Sequence, residues 1–172
     1  NEHLNTLSYF FYAQYKQGLF SAKLKSVFAQ AGEHVNLNGG YAVTADTDLN
    51  GDWKYTPTRN SSSWLSLMYS DNGWQYILFG GYVKNFGTAE AVKDAAHLYF
   101  SKNSFNNFNS MWRLTPTIIK SFGKFAIGLE YELTSVCYGD MSKGFNAEKC
   151  LYDKGLHNVV NHRIQSMLKF TF

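Results

Sequence analysis

Apolar and polar residues alternate with period two over long stretches of this chain. Within 124–138, Phe125, Ile127, Leu129, Tyr131 and Leu133 fall on one side, and Ala126, Gly128, Glu130, Glu132 and Thr134 on the other. Within 159–172, Val160, His162, Ile164, Ser166, Leu168, Phe170 and Phe172 oppose Asn161, Arg163, Gln165, Met167, Lys169 and Thr171. Phe20, Ala22, Leu24 and Phe28 likewise oppose Ser21, Lys23 and Lys25, and Trp112, Leu114, Pro116 and Ile118 oppose Arg113, Thr115 and Thr117. Successive side chains of a strand point to opposite faces, so this rhythm predicts strands with one apolar and one wet face. Strands are expected over 7–15, 19–32, 63–70, 74–85, 110–120, 124–138 and 159–172. The strand over 74–85 has apolar residues on both sides, Trp74, Tyr76, Leu78 and Tyr82 against Ile77, Phe79 and Val83. A two-residue turn before it would put the first set on the apolar face, and a three-residue turn the second; the sequence leaves both open.

The connections alternate in length. Lys16-Gln17-Gly18, Asp71-Asn72-Gly73 and Phe122-Gly123 read as tight turns, with Gly supplying positive φ. The segments 33–62, 86–109 and 139–158 read as long loops rich in Asn, Asp, Ser, Gly and Lys. Inside the second of these, 88–100 reads as a short helix with Thr88 as its cap. Short turns on one side and long loops on the other are the habit of transmembrane β-barrels, whose strands run up and down. The expected fold is therefore an all-β, antiparallel, up-and-down transmembrane barrel. Slipping 159–172 by one residue would turn Arg163 and Lys169 towards lipid, at roughly 2–4 kcal/mol each near mid-bilayer. The apolar side is thus expected outward and the charged side inward.

Composition agrees with β structure: aromatics make up 17% of the chain, with 12 Tyr and 14 Phe, and there are only 2 Pro. Mean hydropathy is −0.30. No run approaches the ~18 apolar residues of a transmembrane helix, which excludes helical spans and leaves barrels open. A net charge of +3 gives no electrostatic reason to expect a nucleic-acid partner. The chain opens at Asn1 without an initiator Met or leader, and seven strands is an odd number for a bacterial barrel. We therefore expect residues 1–172 to be the C-terminal part of one barrel domain, with the N-terminal strands and signal peptide absent.

The last strand, with Ile164, Leu168, Phe170 and the final Phe172, resembles the C-terminal signature of Gram-negative outer-membrane proteins. That resemblance implies an outer-membrane location and recognition by the barrel-assembly machinery. The phrases at 55–69 (YTPTRNSSSWLSLMY), 74–88 (WQYILFGGYVKNFGT) and 110–133 (SMWRLTPTIIKSFGKFAIGLEYEL) are similar to the DcaP-like, porin-type trimeric transporters of Bacteroidetes. This implies a passive-diffusion channel for small hydrophilic solutes, assembled as a homotrimer. Two alternatives stay open: the C-terminal barrel part of a TonB-dependent receptor, and a small structural or adhesive barrel without a pore.

Candidate chemistry adds less. Lys23, Lys25, Arg113, Arg163 and Lys169, with Glu130 and Glu132, are expected on the inward face, where they either line a pore or satisfy one another as ion pairs. Asp46, Asp48, Asn50 and Asp52 have the spacing of the start of a calcium loop, but Pro57 stands where its bidentate Glu would be. A solvated turn is the better expectation there, with Ca²⁺ the alternative and no other cofactor implied. Cys137 and Cys150 could close a loop worth roughly 3 kcal/mol as a disulfide, or stay free. His3, His34, His97, His157 and His162 are scattered and suggest no catalytic constellation, so no enzyme is expected. Trp74, Trp112, Tyr9, Tyr15, Tyr131 and Phe172 suit aromatic girdles at a membrane interface. Aromatics on the wet face would instead suit a sugar-binding slide.

Overall fold

The computed structural model describes residues 4–47, 53–100 and 106–172. Seven long strands form one antiparallel sheet in the order in which they follow along the chain. They are β1 (Ser8–Gln17), β2 (Phe20–Gln30), β4 (Trp53–Asp71), β5 (Trp74–Thr88), β7 (Phe108–Phe122), β8 (Phe125–Tyr138) and β9 (His157–Phe170). Two short strands, β3 (Gly40–Thr47) and β6 (Leu98–Phe100), branch off near the start of β4. The sheet is not closed: among the described residues β1 and β9 each have a strand on one side only.

Three two-residue turns lie at one end of the sheet. Asn72 and Gly73 both take positive φ (47° and 77°), the pattern of a type I′ turn. Gly18 and Gly123 take positive φ as the first central residue of the other two, as a type II′ turn requires. The two-residue Asn72-Gly73 turn also resolves the faces of β5. Trp74, Tyr76, Leu78 and Tyr82 lie on the apolar face, and Ile77, Phe79 and Val83 on the other.

The register gives the strand tilt. One row of directly paired residues runs Tyr12, Lys25, Trp64, Gly81, Arg113, Thr134, Asn161. From this row to the turn end, β2 runs five residues (Lys25 to Phe20), β4 seven (Trp64 to Asp71) and β7 nine (Arg113 to Phe122). The stagger is two residues per hairpin, or one per strand. With a rise of ~3.3 Å and a strand spacing of ~4.8 Å, it inclines the strands by about 35° to the normal of the line of turns.

The two faces differ in kind. Near the turns the apolar face carries Tyr15, Phe20, Tyr69, Trp74, Tyr76, Phe122, Phe125 and Phe170. Above these lie Leu24, Leu65, Leu67, Leu78, Pro116, Ile118, Leu129 and Ile164, and then Tyr9, Phe28, Tyr82 and Trp112. It is an aliphatic belt between two aromatic rims. From Phe125 to Leu133 is eight residues, about 26 Å along the strand and about 22 Å along the normal at this tilt. Among the described residues nothing covers this face: Ile164 is 74% exposed and Leu168 76%. The expected rim residue Tyr131 sits mid-belt instead, where its hydroxyl bonds His162 Nδ1 at 2.6 Å.

Buried apolar residues gather at the end opposite the turns. There the long connections pack together into a cap. Ala42, Val92 and Cys150 form a small core with Leu98, Phe145 and Ala147. Val92 donates its N–H to Ala147 O (2.8 Å), Lys93 to Val43 O (3.0 Å) and Thr88 to Lys149 O (3.3 Å). The 3₁₀ turn Gly32–Val35 precedes a stretch that folds back over the charged face, where Asn60 donates to Asn38 O. The helix expected over 88–100 does not form. Thr88 ends β5, Val92 bridges to Thr44, and β6 pairs with β3; only Ala95–His97 turn as 3₁₀, capped by Asp94 through Ala96 N and His97 N. The hydrogen bond to the His97 side chain, aided by the capping bonds from Ala96 N and His97 N, holds the Asp94 carboxyl below its usual range.

Gly87 fixes the cap to the sheet. It has φ +67°, and a Cβ there would stand 1.6 Å from Lys149 O. Gly87→Ala is expected to cost more than about 2 kcal/mol, through backbone strain and displacement of the 139–156 connection. Gly80→Ala, where a Cβ would meet nothing within 4 Å, is expected to cost little. Denaturant titration of the two variants checks the difference.

Candidate functional site on the charged face

The chemistry-bearing side chains collect on the face opposite the apolar belt because the strand phase puts them there. Glu132 on β8 stands directly across from Arg163 on β9, and Thr134 across from Arg113 on β7. Glu132 is 6% exposed and sits between two guanidinium groups. Arg163 Nη2 donates to its Oε2 at 2.7 Å, and Arg113 Nη1 lies 3.4 Å from the same oxygen. Thr134 links the set, donating to Glu132 Oε1 (3.2 Å) and accepting from Arg113 Nε (3.0 Å). Two residues towards the turns along β8, the Thr117 hydroxyl donates to Glu130 Oε2 at 2.9 Å.

Burying a lone carboxylate is costly, whereas one flanked by two cations and a hydroxyl is satisfied. The cluster therefore holds its geometry and keeps a surplus of positive charge, since two guanidinium groups share one carboxylate. Beside it lies a recess of about 680 Å³, with Arg113, Arg163, Thr115 and Gln165 on its polar side and Phe79 and Met167 on its apolar side.

Of the candidate residues, Arg113 and Arg163 each form an ion pair with Glu132. Lys23, Lys25, Lys169 and Glu130 make no ion pair among the described residues. Lys23 and Lys25 lie on β2, paired in register with Ser66 and Trp64, and Lys169 lies near the turn end beside Ala126. Trp64 and Phe79, with ring centroids 5.9 Å apart, also face this side. Their placement follows from the phase of β4 and of β5, the latter left open by the sequence alone. Phe10 and Tyr12 of β1 share this side as well.

The remaining candidates lie elsewhere. Cys137 on β8 and Cys150 in the cap are free thiols, and burial pushes the Cys150 thiol up to about 12. Asp48, Asn50 and Asp52 lie outside the described residues, as does the side chain of Asp46. Among the described residues no three His, Cys, Asp or Glu side chains gather as metal ligands. Ile164, Leu168 and Phe170 align along the apolar face, with Phe172 beyond the strand end and its ring 4.9 Å from that of Phe170.

Two outcomes are expected. Glu132→Gln removes the charge that two guanidinium groups share and should destabilise the sheet by about 1–2 kcal/mol, measured by urea titration. Cys150 is expected to resist alkylation at pH 8 in the folded protein and to react fully on unfolding without reductant. Failure to react after unfolding would instead reveal a disulfide with Cys137.

No protein-family model, no curated protein and no solved structure matches the chain.

Proposed function

We propose that this chain is a sector of an outer-membrane β-barrel that passes small hydrophilic solutes by passive diffusion. The observation that carries the reading is the uncovered apolar face, an aliphatic belt about 22 Å tall between two aromatic rims. Outer-membrane barrels present a lipid-facing band ~25 Å tall, with aromatic girdles at both edges. The strand inclination of about 35° falls at the shallow edge of their range of ~35–45°. Three two-residue turns at one end and packed connections at the other suit periplasmic turns and an external mouth.

The opposite face supports a hydrated lumen. Lys23, Lys25, Arg113, Arg163 and Lys169 lie there against Glu130 and Glu132, an excess of three positive charges. Fixed charges of one sign along a pore raise the local concentration of the opposite ion, so anions pass preferentially. The free edges of β1 and β9 are where further strands would close the barrel.

Planar-bilayer recordings of the full-length protein test this. Open-channel conductance is expected, with a reversal potential in a salt gradient displaced towards the anion. Lys23→Glu combined with Lys25→Glu should move that potential towards the cation without abolishing conductance. A protein that inserts into the bilayer yet carries no current contradicts the channel reading.

A further inference from the structure

The apolar belt is not uniform. A groove of about 460 Å³ opens on it between β4 and β9, lined by Tyr69, Tyr76, Leu78, Pro116, Tyr131 and Ile164. Its floor has a local cause. The β7–β8 ladder passes from the Leu114–Leu133 pair to the Thr117–Glu130 pair and skips the two positions between them. Pro116 has no N–H to donate, so the seam loses its regular bonding there. The low pyrrolidine ring is flanked by the larger side chains of Leu78 and Tyr131, which leaves a depression.

On β7 the line from Pro116 through Ile118 reaches Lys120, which lies on the same apolar face opposite Trp74 and Ile127. The Lys120 ammonium sits 4.7 Å from the centroid of the Trp74 ring and donates to Asn72 O at 2.9 Å. Two of its three protons have directions left for an external acceptor. Lys124, in the adjacent turn, adds a second exposed cation. The nearest acid at this rim is Asp71, on the far side of Trp74 in the same row. Lys120 thus stands two residues beyond Ile118, which lines the groove, on the same face and at the level of the aromatic rim.

We propose that the groove holds an acyl chain of an anionic glycerophospholipid whose phosphate is bound by Lys120. The apolar lining takes the chain, and the lysine selects a headgroup with net negative charge over a zwitterionic one. This inference rests on the membrane reading above, and the lipid belongs to the leaflet on the turn side.

Native mass spectrometry of the detergent-solubilised full-length protein, titrated with dioleoyl phosphatidylglycerol or dioleoyl phosphatidylcholine, tests it. One phosphatidylglycerol is expected to bind about fivefold more tightly than phosphatidylcholine. Lys120→Gln should erase that difference while leaving residual binding of both. Leu78→Trp should weaken both, whereas Gly80→Trp, which fills a separate recess beside Leu65 and Leu114, should weaken neither. Circular dichroism of each variant identifies those that keep the sheet, and binding is compared among these. Unchanged phosphatidylglycerol preference in Lys120→Gln would overturn the proposal, as would displacement of the lipid by inorganic phosphate alone. Co-sedimentation with lipid vesicles separates the two levels. Failure to enter vesicles refutes the membrane reading, whereas entry without headgroup preference refutes only the lipid site.

Discussion

A single-layer sheet cannot bury its own apolar face. Soluble β proteins solve this with a second layer, whether another sheet or a set of helices, and the core lies between the two. Here the belt from Phe125 to Leu133, with its neighbours Leu65, Leu78, Leu114 and Ile164, meets no second layer among the described residues. The small core of Ala42, Val92 and Cys150 is in the cap and leaves the belt bare. Moving apolar surface out of water is worth about 25 cal/mol per Å², so a belt of this extent demands a partner medium. On the proposed reading that medium is lipid, whose thickness suits an aliphatic zone bounded by aromatic rims.

The other features follow from that constraint. In hydrocarbon every backbone N–H and C=O must find a partner within the protein, which suits long ladders joined by two-residue turns. Strand phase is then fixed by energy rather than by turn chemistry alone, because a slip of one residue would exchange Leu168 and Phe170 for Lys169 and Met167. The same phase gathers Arg113, Glu132 and Arg163 on the opposite face, where two cations share a buried carboxylate. Some polar groups on the apolar face pair with one another: Tyr131 bonds His162 at 2.6 Å, and Ser26 bonds Ser63 at 2.8 Å. The cap serves a different end. Its backbone bonds join connections far apart in sequence, so this end of the sheet is a folded unit rather than a set of separate loops.

Much of the sheet was legible in the sequence because β8 and β9 alternate cleanly, and hydrophobic period is a direct imprint of a two-faced environment. The three tight turns were legible from their glycines. The phase of β5 was not, since Trp74, Tyr76 and Leu78 are no more apolar than Ile77, Phe79 and Val83; a count of two turn residues decided it. The first half of β4 was missed. Pro57, Asn60, Ser61 and Ser62 carry the composition of a loop, and they are strand because β2, β3 and β5 flank them. The stretch 88–100 has helical composition but follows its long-range pairing with β3 and Thr44. At the candidate site, the alternation placed Arg113, Glu132 and Arg163 on one face. That two guanidinium groups converge on one carboxylate depends on inter-strand register, which no single strand encodes.

The central claim is that the belt faces lipid and the charged face faces water. Single-cysteine scanning along β8 from Ala126 to Leu133, with a nitroxide or fluorophore at each position, tests it most directly in reconstituted vesicles. A lipid-soluble quencher should reach positions 127, 129, 131 and 133, and a water-soluble quencher positions 126, 128, 130 and 132, alternating strictly with period two. Equal access of the water-soluble quencher to both sets would contradict the claim.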